Sequence, residues 1–233
     1  MARFDWETAL RKRRTRIVGY LLWGMFAIGA GLVVYHYMDL NAQMSKQHKL
    51  LADWSTEVRQ WGGYEARPAD ASADAGSSKP AATVPLPEWQ DVDGQAMLGS
   101  VVIPSIDLEE PIVRGADDKT LLLGAGAVVE NRLPGQDGTN FVLASHRSRT
   151  FGRHFNRLDE LKPGDAVEVE TTAGTFRYVV TETSLVLPDD LSVLENAGEA
   201  STLTLITCHP IRNPTHRLIV KAELQPAAAL SNS

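Results

Sequence analysis

The 233-residue sequence contains one cysteine, Cys208. No intramolecular disulfide can form, and no cysteine-based zinc site can be built. The thiol therefore acts free or in a bond to another molecule. Basic surface is also scarce outside the N-terminus. Six basic residues (Arg3, Arg11, Lys12, Arg13, Arg14 and Arg16) stand against Asp5 and Glu7 in the first 16 residues, a local charge of +4 that leaves −10 for the rest of a chain of net charge −6. An acidic body of this kind argues against nucleic acid as the main partner, because phosphate binding needs basic surface on the folded part.

Charge of either sign is missing from Ile17 to Tyr37, "IVGYLLWGMFAIGAGLVVYHY". As a helix this run rises about 31 Å, enough to cross a hydrocarbon core of about 30 Å. Tyr20 and Trp23 near one end, with Tyr35 and Tyr37 at the other, occupy positions favoured by interfacial aromatics. A cleavable signal peptide would have a shorter apolar core followed by a small-residue cleavage site, whereas this run is followed by "HYMDLNAQM". The reading is an uncleaved signal anchor over residues 17–38, behind a basic cytoplasmic N-terminus at 1–16. The positive-inside rule then places residues 39–233 outside the cell. No second span is expected, since "QPAAALSNS" after Leu224 is short and polar.

Met44, Leu51, Trp54, Val58 and Trp61 follow an a/d spacing, which predicts a stalk helix over 39–65 and, as an alternative function for it, a weak dimer through this seam. Residues 66–85 are rich in Ala, Ser, Asp and Pro and read as a flexible linker. From there to residue 226 short apolar runs are punctuated by Gly, Pro and Asp, with a tail at 227–233. "SVVIPSI", "EPIVRG", "TNFVLAS", "DAVEVET", "TFRYVVTET", "LTLIT" and "HRLIVKAEL" read as half-buried strands of a β barrel or sandwich. "DKTLLLGAGAV" and "RHFNRLDELK" are the helical insertions.

A nucleophilic cysteine needs a partner to take its proton and a donor to steady the charge on the attacked carbonyl. The groups on offer are His146, His154, His209 and His216, with Arg212 and Arg217. His146 and Cys208 each end an apolar strand and Arg217 opens one, so the three can meet at one barrel rim. On spacing alone a lone cysteine after such a strand is more often a core residue than a nucleophile. His154 reads as a solvated residue on a short helix. His209 and His216 neighbour Cys208 and Arg217 on extended chain and so point to the opposite face. Arg212 is the substitute for Arg217.

"TLITC" (Thr204–Cys208), "LASHR" (Leu143–Arg147) and "RLIV" (Arg217–Val220) resemble motifs of the sortase transpeptidases of Gram-positive surfaces. The likeness continues through "IPSIDLEEPIVRG", "LPGQDGTN", "LDELKPGDAVEVETTAGTFRYVV" and "VLPDDLSVL", covering residues 98–224. It implies a mainly β fold, a closed barrel of about eight strands with short helices, behind one transmembrane helix. It also implies that Cys208 is the nucleophile, His146 the general acid and base, and Arg217 the group that holds substrate backbone and oxyanion. The implied substrate is an LPxTG-like sorting signal, carried through a thioacyl enzyme to an amine on a peptidoglycan precursor or a pilin lysine. An inactive binding ectodomain and a hydrolytic cysteine peptidase are the alternatives. No cofactor is expected. Ser145 stands where relatives commonly have Gly, and Ala127 or Val128 where a second His is common. With only Glu130 and Asp137 before the histidine strand, a calcium site is not expected either.

Overall fold

The computed structural model describes residues 6–60, 86–150, 152–196 and 198–225. The linker expected at 66–85, the tail at 227–233, Trp61 of the stalk pattern and the first residues of the basic head lie outside the described residues. The chain forms two compact units that divide between Ser45 and Lys46.

A single helix, α1 (Trp6–Gln60), runs through the division. From Gly19 on it is long and apolar enough to cross a membrane. Leu21, Leu22, Trp23, Phe26 and Ile28 are exposed, as side chains that face lipid would be. Within the second unit the end of α1 is amphipathic. Leu50 and Trp54 are buried in a small cluster with Val92, Met97 and Val113, and Lys49 Nζ meets Asp93 Oδ2 at 2.8 Å. Trp54, part of the a/d pattern that offered a dimer seam as an alternative, packs here against the protein's own β strands.

Among the described residues nine strands follow: β1 (Gln90–Val92), β2 (Gln95–Ile103), β3 (Leu108–Arg114), β4 (Ala125–Ala127), β5 (Asn140–Ala144), β6 (Ala166–Thr171), β7 (Gly174–Val186), β8 (Thr202–His209) and β9 (His216–Leu224). Their order is β1-β2-β3-β4-β5-β8-β9-β7-β6, and β6 pairs back onto β2. β2 through β9 therefore form a closed barrel of eight strands, with β1 as a hairpin partner on β2. The helical insertions are short 3-10 turns, at Pro104–Ile106, Thr120–Leu122, Phe155–Glu160 and Leu191–Leu194.

Side-chain alternation explains the closure. Val167 and Val169 of β6 and Phe176, Tyr178 and Val180 of β7 face inward and join Leu98, Val101, Phe141, Leu143, Leu203, Leu205 and Val220 in one core, as period-two strands with one buried face require. β2 changes partner at a bulge between Met97 and Gly99. A Cβ at Gly99 would sit 1.8 Å from the Glu170 carbonyl oxygen, so only glycine permits this approach of β2 to β6. Inside the barrel wall, Gly135 N–H donates to the buried Tyr178 hydroxyl at 2.9 Å.

Candidate active site

The site is built where β5 and β8 leave the barrel side by side. They run parallel, in a register that ends with Ala144 opposite Ile206. His146 follows two residues beyond Ala144, just past the end of β5, as Cys208 follows two residues beyond Ile206 on β8. The continuation is stitched on both sides. Ser145 N–H donates to the Ile206 carbonyl at 3.1 Å, and the buried Thr207 hydroxyl donates to the Ser145 carbonyl at 2.9 Å. Lower down, Asn140 Oδ1 accepts the Thr204 hydroxyl at 2.8 Å while its Nδ2 donates to the Val193 and Glu195 carbonyls at 3.0 Å each.

β9 supplies the third residue. It pairs antiparallel with β8, and Cys208 lies directly opposite Arg217. Directly opposed residues share a face, and Arg217 Nη1 donates to Cys208 Sγ at 3.3 Å. Cys208, His146 and Arg217 are each half-buried, a degree of exposure that leaves the thiol reachable beside a permanent cation. Arg212, the substitute considered for Arg217, is exposed in the loop before β9. The thiol contact belongs to Arg217.

His146 is held below its ordinary value of 6.5, first by burial and then by the neighbouring His154. Arg153 pushes the same way, while Asp118 and Glu110 oppose. A depressed value favours the neutral imidazole, the form able to accept a proton near neutrality.

Two residues not singled out from the sequence shape this corner. Arg147 is buried, with Nη2 2.7 Å from Asp159 Oδ2 and Nη1 2.6 Å from His209 Nδ1. Because arginine only donates, His209 Nδ1 must accept, and the residue after the histidine is thereby clamped to the residue after the cysteine. Glu110 is the other. Alternation along β3 puts it on the inward side with Leu108 and Ile112, and a count from the apolar neighbours would have found it. His154 is corrected as well. It is not a solvated helical residue but is buried, with Nδ1 2.9 Å from Glu110 Oε1, in front of the 3-10 turn Phe155–Glu160. The tight turn does not carry it round to solvent, because an isolated antiparallel bridge holds His154 against Arg147.

A cleft of about 520 Å³ opens beside the end of β8, lined by Arg147, Arg149, His209, Pro210, Ile211 and Arg212. Among the described residues, no three of His, Cys, Asp and Glu gather closely enough to hold a metal ion.

The model of the sortase domain matches residues 101–225, which takes in all three site residues and more than half of the chain. The chain belongs to the sortase family. Sortase A of Bacillus anthracis is 34% identical over 133 residues, covering 57% of this chain and 62% of that protein. Sortase D of Bacillus subtilis is 31% identical over 207 residues, covering 84% of this chain and 94% of the relative. Among solved structures, the lid mutant of sortase A from Corynebacterium diphtheriae superposes with a TM-score of 0.53 at 32% identity, over 56% of this chain and 71% of that one. The chain thus spans less than two thirds of the Bacillus anthracis protein. The closed barrel expected from the resemblance is the fold observed, and sortases as a family are cysteine transpeptidases.

Proposed function

We propose that this chain is a membrane-anchored cysteine transpeptidase, with Cys208 as nucleophile, His146 as general acid and base, and Arg217 as the oxyanion and substrate-backbone donor. The observation that carries the reading is the 3.3 Å contact of Arg217 with the Cys208 sulfur, at a level of the barrel that β5 shares through its register with β8. The guanidinium beside the sulfur is at hand for the negative charge that moves onto the substrate carbonyl.

In the first half-reaction the sulfur attacks the threonine carbonyl of an LPxTG-like sorting signal. The carbon–sulfur bond forms, the peptide carbon–nitrogen bond breaks, and the single proton that the resting Cys208–His146 pair holds between them passes through His146 to the leaving amine. In the second, an amine on a peptidoglycan precursor or pilin lysine attacks the thioester. It passes a proton to His146 and releases Cys208. The basic segment before the apolar run puts the N-terminus in the cytoplasm and the barrel outside, anchoring surface proteins to the wall.

Full-length protein in detergent, incubated with fluorogenic LPxTG-type peptides with and without added amines, tests this reading. Cleavage that yields ligated product with amine, and that Cys208→Ala abolishes, is the expected result. Cleavage without any ligation points to the hydrolytic alternative. No cleavage across a broad motif panel, or full activity in Cys208→Ala, overturns the transpeptidase.

A further inference from the structure

The three proposed reacting groups leave a buried acid and a buried imidazole without a task. Glu110 is 1% exposed and His154 4%. Ionisable groups at such depth are costly to keep unless they are paired, and an apolar pair of similar volume would serve stability as well or better. Their contacts suggest what they are kept for. Glu110 Oε1 meets His154 Nδ1 at 2.9 Å, and Glu110 Oε2 accepts the Ser145 hydroxyl at 3.1 Å. His154 forms a β-bridge with Arg147, and the Phe155 N–H donates to the His146 carbonyl at 3.1 Å.

The residues before and after His146, and its own backbone, are therefore all held by one small group. The ring of His154 also stands edge-on to that of His146, with centroids 6.2 Å apart and planes at 74°. His154 holds φ at 51°, a conformation that non-glycine residues rarely adopt. Such strain persists only where surrounding contacts over-determine it, and here they include the contact with Glu110.

We propose that Glu110 and His154 are a buried positioning pair that fixes the orientation of the His146 imidazole and the charge behind it. This rests on His146 as the acid and base of the reaction. His154 turns its Nδ1 edge to the Glu110 carboxylate, so the edge turned away from the carboxylate carries its second nitrogen. The groups acting on His146 are His154 and Arg153, which disfavour its charged form, and Asp118 and Glu110, which favour it, on top of burial. Removing His154 removes the largest of the opposing charges. The His146 titration then moves upward, toward the ordinary value.

The test uses full-length protein in detergent with isotope-labelled histidines, following each imidazole by NMR across pH, beside the pH profile of peptide cleavage. The variants are His154→Gln, His154→Phe, which keeps a ring in place, and Glu110→Gln. In both His154 variants the His146 midpoint rises, and kcat/KM falls roughly tenfold to a hundredfold, mostly in kcat, as expected of a displaced catalytic group. Glu110→Gln, which keeps shape and one hydrogen bond, loses less. A His146 midpoint unmoved in either His154 variant, or kcat/KM within twofold of wild type, overturns the proposal. If the variants do not fold, the wild-type spectrum decides. A slowly exchanging His154 Nδ1 proton and a His146 midpoint below 6.5 support the pair, and absence of either overturns it. Wild-type protein that cleaves no peptide would instead sink the transpeptidase reading, while the two titrations would still report on the pair.

Discussion

Replacing Arg217 is the most searching test of the site, because the residue touches the sulfur without being able to react. Its Nη1 lies 3.3 Å from Cys208 Sγ. At an effective dielectric constant of about 20, the guanidinium and a full negative charge formed at that distance during the reaction would attract by about 5 kcal/mol. Both groups are half-exposed, so solvent screens part of this, and removal of one oxyanion donor from an enzyme costs about 3–4 kcal/mol. Arg217→Ala should therefore lower kcat/KM for peptide cleavage by roughly a hundredfold to a thousandfold. The loss should fall on kcat more than on KM, since the charge develops only as the sulfur attacks. Arg217→Lys keeps the charge but not the planar fork, and should retain an intermediate rate. The assay is steady-state cleavage of a fluorogenic sorting peptide, with thermal melting alongside to show that the barrel is intact. If folded Arg217→Ala kept a third or more of wild-type kcat/KM, the role given to Arg217 would be wrong. Arg212→Ala would then be the next variant to measure.

Three further outcomes follow from the fold. Tyr178→Phe strands the Gly135 N–H that donates to the tyrosine hydroxyl, and denaturant titration should show a loss of about 1–3 kcal/mol with peptide cleavage unchanged. Trp54→Ala should release the end of α1 from Val92, Met97 and Val113, at a cost of about 3 kcal/mol or more; hydrogen exchange should quicken over residues 46–60 while the barrel stays protected. His146 titrates below 6.5 in the folded chain, so the unfolded chain binds its proton first on acidification. Stability should accordingly fall as pH drops below about 6.5 and level off below the folded midpoint, and His146→Gln should flatten that part of a denaturation-versus-pH series.

Much of the barrel was legible because its strands alternate. Val167 and Val169 against Glu168 and Glu170, and Phe176 and Tyr178 against Arg177, announce period two without any tertiary information. β4 could not be read this way, since Ala125–Ala127 is three small residues whose strand character comes from lying between β3 and β5. β1 is equally short, and owes its pairing to the hairpin with β2. At the site, the order of His146, Cys208 and Arg217 was visible as three strand ends, but their convergence depends on β5 and β8 being parallel neighbours. Arg147 was hidden for the same reason, because its partners Asp159 and His209 come from separate segments. His154 was misread through helical spacing in "RHFNRLDELK", where the backbone instead turns through a positive φ and sends the ring inward toward β3.

The parallel pairing of β5 with β8 also decides when the thiol becomes dangerous. Parallel neighbours cannot be joined by a tight turn, and the connection here carries β6 and β7. A chain made from its N-terminus presents His146 early, Cys208 much later and Arg217 last, on the final strand among the described residues. The pairing of β8 with β9 that sets Arg217 against Cys208 is local, but the pairing of β8 with β5 joins distant segments, and contacts so distant in sequence form late. Until it forms, Cys208 has no imidazole beside it, and a half-made or unfolded copy carries an unassisted thiol. On the proposed roles, reactivity is thus coupled to completion of the barrel, and misfolded molecules would be poor catalysts of stray acylation among the proteins around them.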